Sequence, residues 1–454
     1  MTRDLSALAW RHLARVTIAF RTPFVVRSGR GEIGVDSVFV RDANGFPALP
    51  GSSIAGVLRA ACQSAWGKPF TEDLFGSEEG ASRLVVGWGC VHDADDRPVE
   101  GLRDGDDPVL AAARRGVRRD HVGLDHRGTA QERRKFDERI VGVGHRFTFE
   151  LVLSSASGSD DGFDRLLGLL GSGELRLGAG GRRGFGAFEL ARLRQRSFDL
   201  KRREDFLAYH GLTADLGAGD LDDRGPPEAP TPKRVVVTLR NLRPVDRWMF
   251  GGGTASGDED MAPVTEPMII WKDGRGHVSD DPVIYLPASG IKGALRQRVA
   301  WHFNLRAGRR SDSVAALGEI LSDNPARTAL FGEMASRDGG RPGRLLFDDV
   351  FILAAPAAQI DWHVSLDRFH GGARAGLLFS ERVLVGGGGT DCRIAIDPDE
   401  TLDAPTRRAL AAALDDVRRG RVLFGGGTGR GNGAFICDAV EWSDGGRWLE
   451  AGST

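Results

Sequence analysis

The chain has 454 residues, with 61 Lys plus Arg against 63 Asp plus Glu and with 63 glycines, about twice the usual share. At 41% apolar and 27% charged residues, with 20 prolines and no Gly-X-Y period, the composition excludes a collagen-like chain and a disordered one. A net charge of −2 excludes a globally basic nucleic-acid binder and leaves room for a local basic stripe.

Cys62, Cys90, Cys392 and Cys437 lie far apart, which argues against a zinc site and a disulfide framework. No apolar run approaches the ~18 residues of a membrane span. Met1 to Ala14 lacks the features of a signal peptide, so the expected compartment is the cytoplasm.

In chain order, Val16 to Phe20 reads as a strand. Asp36 follows in Ile33-Gly-Val-Asp-Ser-Val-Phe-Val40, on a loop before a strand-like run. A lone loop carboxylate is commonly a turn residue. This one lies close to Leu49-Pro-Gly-Ser-Ser53, which leads into a helix over Ile54 to Trp66 with Ser52 or Ser53 as N-cap. A helix start favours phosphate, and Gly51, Ser52, Ser53 and Arg59 add donors there. Beside a phosphodiester, Asp36 could hold a divalent cation or orient an attacking hydroxyl.

Arg114 to Arg146 holds ten Arg or Lys, Arg133 and Arg134 among them, against five acids. It has no strong period and suits backbone contact with nucleic acid, or else a solvated loop. Phe147 to Leu153 reads as a strand and Asp164 to Leu170 as a helix. The turn Leu177-Gly-Ala-Gly-Gly-Arg-Arg-Gly-Phe-Gly-Ala-Phe188 then precedes a short strand. Its glycines let backbone approach another chain closely, and with Arg182 and Arg183 they suit a phosphate clamp. Asp220 to Lys233 is proline-rich and acidic, a stiff solvated linker.

The chain then begins again. Leu49-Pro-Gly-Ser-Ser-Ile-Ala-Gly-Val-Leu-Arg59 recurs as Leu286-Pro-Ala-Ser-Gly-Ile-Lys-Gly-Ala-Leu-Arg296. His121-Val-Gly-Leu-Asp125 recurs as His363-Val-Ser-Leu-Asp367, and Phe136-Asp-Glu-Arg139 as Phe379-Ser-Glu-Arg382. The glycine-rich turn returns at Leu423 to Phe435 with Arg430. Ordered matches mean one domain used twice: residues 1–220 and 234–454, with 221–233 between them. Ser289, Lys292 and Arg296 repeat the first helix start. At the Asp36 position the second copy offers Thr265 or Glu266, with Asp258, Glu259 and Asp260 just upstream. The order strand, helix, irregular middle, strand, helix, glycine turn, strand predicts an α+β fold, two tandem ferredoxin-like domains with long insertions.

The Val-Asp-Ser-Val-Phe-Val-Arg-Asp and Leu-Pro-Gly-Ser-Ser-Ile-Ala-Gly-Val-Leu-Arg segments, with the Gly-Arg-Arg-Gly-Phe-Gly turn, resemble the RAMP superfamily. More narrowly they resemble the backbone subunits of type III CRISPR–Cas effector complexes, in a tandem arrangement. The resemblance implies modified RNA-recognition folds with β-hairpin thumbs. It also implies crRNA, target RNA and other effector subunits as partners, and no membrane. Asp36 matches a loop aspartate needed for target cleavage with a divalent metal, Mg2+ or Mn2+. Gly51, Ser52, Ser53, Arg59, Arg182 and Arg183 match segments that hold guide backbone, as do Ser289, Lys292, Arg296 and Arg430. At the aspartate position of the second copy Thr265 or Glu266 stands instead, unless Asp258, Glu259 or Asp260 substitutes. Two other readings stay open: a non-catalytic RNA-binding scaffold, and a metal-independent guide-processing endoribonuclease acting through His121 or His126.

Overall fold

Val16, Ile18 and Phe20 alternate with Ala19 and Thr17, and nearly every residue of the strand Trp10–Phe20 is buried. Such a run belongs at the centre of a sheet. A computed structural model of the chain describes residues 8–450, apart from 104–105, 126–128, 220, 232, 254–256, 258, 311–318, 321–322, 337–338, 355 and 399–400. Asp258 and His126 lie outside the described residues.

Trp10–Phe20 pairs antiparallel with Arg146–Ser155 on one side and Phe188–Asp199 on the other. Leu84–Val86 extends the sheet beyond Arg146–Ser155. Helices Gly51–Phe75 and Asp161–Gly171 supply Ile54, Leu58, Cys62, Phe163, Leu166 and Leu167 to the same core. The second copy repeats the plan. Val235–Pro244 lies between Thr390–Ile396 and the short strands Phe435–Ile436 and Ala439–Trp442, with Leu345–Phe347 beyond. Helices Ala288–Arg306 and Ala404–Arg418 fill its core through Ile291, Leu295, Val299, Leu410 and Leu414. In each copy the strands run second, third, first, fourth across the sheet, which is the order of the ferredoxin-like fold expected from the succession of elements.

The arginine-rich stretch is not a loop. Val117–Leu124 and Ala130–Ile140 form an antiparallel hairpin. Its counterpart in the second copy pairs Ala357–Leu366 with Ala373–Val385. The period was invisible because solvent reaches most of the outer strand, and alternation of hydrophobicity requires one buried face. The linker lies against the first copy: Asp222–Asp223 pairs with Arg194–Gln195, and a Cβ on Gly168 would stand 2.6 Å from the Glu228 carbonyl.

A small hairpin of the second copy, Ile269–Lys272 with Arg275–Val278, grips the first. Ile269 N–H donates to Val143 O at 3.0 Å, the Trp271 indole to Gly144 O at 2.7 Å, and Gly276 N–H to Ala94 O at 2.8 Å. Ile269 packs on Val109 and Ala112 of the first copy's helix Pro108–Arg115. Backbone bonds and apolar burial together make this a fixed contact.

Candidate nucleic-acid interface

Both glycine-rich turns close as single 3-10 turns, Gly181–Arg183 and Thr428–Arg430, flanked by left-handed glycines. A Cβ on Gly178 would stand 2.4 Å from Val25 O, and one on Gly425 2.2 Å from Met249 O. The close approach that these two glycines permit is therefore to the protein's own backbone.

The first copy's turn meets the start of the second copy's helix. Lys292 Nζ donates to Arg182 O at 3.3 Å. Burial, then the charges of Arg296, Arg182 and Arg183, push Lys292 down to about 8. Arg296 is also lowered, by burial and by Arg327, and its Nε is buried with no hydrogen-bond partner among the described residues. Four cations thus converge from two copies of the domain; Arg183 and Arg182 have carboxylate partners, Glu138 at 3.1 Å and Asp397 at 3.9 Å, so an anion set there would chiefly relieve Lys292.

Both helices begin directly after proline, at Gly51 and Ala288, and neither cap residue makes a side-chain bond. Ser52, Ser53 and Ser289 therefore stand in the first turn, not at the N-cap as the sequence suggests. Proline already fixes the extended cap conformation, so no hydroxyl is required there. Gly51 is buried, because a Cβ would stand 2.3 Å from Val86 O. Ser52 and Arg59 are exposed. None of these first-copy residues contacts the Lys292 cluster among the described residues. Arg133 and Arg134 lie exposed on the outer strand of the first hairpin, away from that cluster's contacts.

Arg183 does not point freely into solvent. It pairs with Glu138 at 3.1 Å, a fully buried carboxylate that Arg27 also contacts at 2.9 Å and His121 Nε2 at 3.0 Å. The His121 ring stacks on Phe136, its partner across the hairpin. Burial alone would raise the Glu138 carboxyl, but His121, Arg183 and Arg27 hold it at about 2. The second copy builds the same cluster: Arg430 pairs with buried Glu381, His363 Nε2 lies 3.1 Å from Glu381, and the His363 ring packs on Phe379. Each glutamate ties a hairpin to a glycine turn. His121 and His363 are thus anchoring groups. Sequence reasoning missed the glutamates, although both stood in the Phe-x-Glu-Arg repeat.

Asp36 is exposed and clasped to the same hairpin. Its N–H donates to Asp137 Oδ1 at 2.8 Å, and its Oδ2 accepts from Asp137 N–H at 3.0 Å. In the second copy the residue with these bonds is Asp260. Its N–H donates to Ser380 Oγ at 3.0 Å, and its Oδ2 accepts from Ser380 N–H at 2.8 Å. Asp137 and Ser380 match in the repeat. Thr265 and Glu266 are therefore not the counterparts of Asp36. The gripping hairpin Ile269–Val278 lengthens the second copy between this loop and its helix, and that insertion displaced the alignment. Glu259 is buried and pairs with Arg382 at 2.9 Å.

Glu266 has another task. With Asp349 it encloses Arg119 of the first hairpin, all three being buried. The guanidinium lies 4.3 Å from the Tyr285 ring. Among the described residues no three His, Cys, Asp or Glu side chains come together to hold a metal ion. No described helix is long and apolar enough to cross a membrane.

The family model described as RAMP superfamily matches residues 17–189 and 248–436, one region in each copy. No curated protein matches the chain. Among solved structures, a cryo-EM structure of the type III-B Cmr-beta bound to cognate target RNA is similar at 20% identity and a TM-score of 0.32. The match covers 42% of this chain and 62% of that one, less than two thirds of its length.

Proposed function

The chain belongs to the RAMP superfamily, and on that premise we propose that it is a crRNA-binding backbone subunit of a type III CRISPR effector, cleaving target RNA at Asp36. The observation that carries RNA binding is the convergence of Lys292, Arg296, Arg182 and Arg183 between the two copies. Burial and the charges of Arg296, Arg182 and Arg183 push Lys292 down, and a cation so placed favours a polyanion backbone. The hairpin holds Asp36 beside that surface through the Glu138 cluster, which joins hairpin and arginine turn.

Asp36 offers one carboxylate with a single oxygen engaged by Asp137 N–H. Mg2+ is commonly held by one or two carboxylates, with phosphate and water completing the shell. The residues fit that ion in this limited sense, with Asp36 as the protein ligand, and Mn2+ has the same oxygen preference. When bound, the cation would stabilise charge on the phosphoryl oxygens in the in-line displacement. The chain's own part is to hold RNA phosphate at the cation cluster and to fix the Asp36 carboxylate by its clasp. A pure scaffold is the second reading, favoured by the lack of a three-ligand metal cluster among the described residues.

The test is binding by the full chain. It should co-purify with a short RNA of defined length, and its affinity for single-stranded RNA should fall steeply with salt. Burial and the neighbouring arginines push Lys292 down to about 8. Binding favours the protonated form, so affinity should weaken up to about tenfold between pH 7 and pH 9. Lys292→Met should flatten that pH dependence. Absence of bound RNA together with salt-independent affinity would rule the reading out.

A further inference from the structure

We propose that the second copy carries a docking groove for an extended, proline-bearing segment of another protein, one that sets a lysine or arginine against Glu441. The inference does not depend on RNA binding or cleavage. It starts from what the linker does in the first copy. There Asp222–Asp223 adds a strand beside Arg194–Gln195, on the outer edge of Phe188–Asp199. Arg224 N–H donates to Leu193 O at 2.9 Å. The linker then crosses helix Asp161–Gly171 at two glycines. A Cβ on Gly171 would stand 2.9 Å from Pro226 Cβ, as one on Gly168 would press on the Glu228 carbonyl. Further on, Lys233 Nζ donates to Ser64 O. One sheet edge and one helix face of the first copy are thus covered by an extended segment of the same chain.

The second copy has the same groove without that cover. Leu193 stands opposite Val16 and Gln195 opposite Ala14, as Val440 stands opposite Leu239 and Trp442 opposite Val237. On the helices, Leu167 and Leu170 enter one core as Leu414 and Val417 enter the other. Both sets are 247 positions apart, 440 against 193 and 414 against 167. Gly168 and Gly171 therefore correspond to Asp415 and Arg418, and Arg194 corresponds to Glu441. Among the described residues, Ala439–Trp442 pairs on one edge only, with Val235–Pro244. Beside it lies a cavity of about 400 Å³, walled by Asp415 and Arg418 of the helix and by Val440 and Trp442 of the strand. An open sheet edge beside a cavity takes up an extended peptide by strand addition. Backbone bonds give affinity there, and side-chain pockets select the sequence.

Charge and shape choose the occupant. In the first copy Arg192 pairs with Asp223 at 2.6 Å, and Arg194 faces Asp223 across the strands. In the second copy Ala439 and Glu441 hold those places. A strand as acidic as the linker would meet Glu441, and like charges directly opposite each other destabilise a pair. A lysine or arginine there is favoured. The partner that Glu441 already has, Arg240, is itself half-exposed and adds little. Trp442 replaces Gln195 and gives the cavity an aromatic wall, a surface on which proline rings pack. This chain's own linker therefore suits the first groove and not the second.

The test uses the full chain and two fluorescently labelled peptides read by anisotropy. One is residues 221–231 as they stand, and the other is the same peptide with Asp223→Lys. The lysine-bearing peptide should bind about tenfold more tightly. Glu441→Arg in the protein should invert that order. Val440→Pro should weaken binding at least about tenfold, because proline removes an N–H from the edge, and a thermal melt checks that this variant still folds. Binding of neither peptide at millimolar concentration overturns the groove. Equal binding of both, unmoved by Glu441→Arg, overturns the charge-selected occupant. Undiminished binding to a folded Val440→Pro chain overturns strand addition. A dimer of the chain that the unaltered peptide dissolves would put a second molecule's linker in the groove and overturn the foreign partner.

Discussion

Replacing Arg119 by methionine should destabilise the chain by about 3–5 kcal/mol, the range for removing one partner of a buried ion cluster. Arg119 comes from the first hairpin and is buried in the second copy between Glu266 and Asp349. Both carboxylates are also buried, at 1% and 6% exposure. Without the guanidinium they would face each other with no counter-charge. Burial already pushes the Asp349 carboxyl up, and Arg119 is the main influence opposing it. Asp349 also accepts the N–H of Ala288, the first residue of the second copy's helix, at 2.7 Å. The damage should therefore reach the helix start and the Lys292 cluster. Urea unfolding should show the loss, and the triple variant with Glu266→Gln and Asp349→Asn should recover part of it. A change below about 1 kcal/mol would mean that water reaches the cluster.

Glu138→Gln should cost about 2–4 kcal/mol near pH 7, because Arg183 and Arg27 lose their shared anion. The same group sets an acid response. Its carboxyl sits at about 2 in the folded chain, against about 4.3 in an unfolded one. A depressed folded value adds stability that is fully present above the unfolded pKa. That stability is lost as pH falls from about 4.3 through 2, roughly 3 kcal/mol in all. Unfolding midpoints at pH 7 and pH 3 should fall more steeply for the wild type than for Glu138→Gln. Parallel slopes for the two proteins would show that Glu138 is not the group responsible. The variant should also loosen the hairpin that clasps the Asp36 loop, so target cleavage should decline more than RNA binding.

The frame of each copy was readable because its signals are local. Ile54, Leu58 and Cys62 mark a helix face, and Val16, Ile18 and Phe20 mark a strand. The repeat then carried each reading to the other copy. The site was only half legible. Lys292, Arg296, Arg182 and Arg183 were named from the sequence, but their convergence depends on how the two copies pack. Arg119 meets Glu266 across 147 positions, a distance no period bridges. Asp260 was hidden by an insertion. The repeat aligned the helices correctly, but the hairpin Ile269–Val278 broke the count just upstream of them. Hydrogen bonds to the hairpin restored the match, since a β-register admits no fractional slip.

The gripping contact exists in one sense only. The hairpin Ile269–Val278 belongs to the second copy, and the first has a tight turn in its place, closed by Asp42 accepting from Asn44 and Phe46 N–H. The helix Pro108–Arg115 that it grips belongs to the first copy, and only residues 353–356 occupy that stretch in the second. Where the first hairpin carries Arg119, the second carries Asp361, each paired in register with its buried glutamate. Head-to-tail contacts grow into open fibres when every unit presents both halves of the joint. Here one end lacks the clamp, the other lacks the handle, and the charge that would lock them is reversed. Two molecules of this chain cannot repeat the joint that holds its own halves together. Among the described residues this joint is therefore a contact within one chain, and a longer array would have to use a different contact.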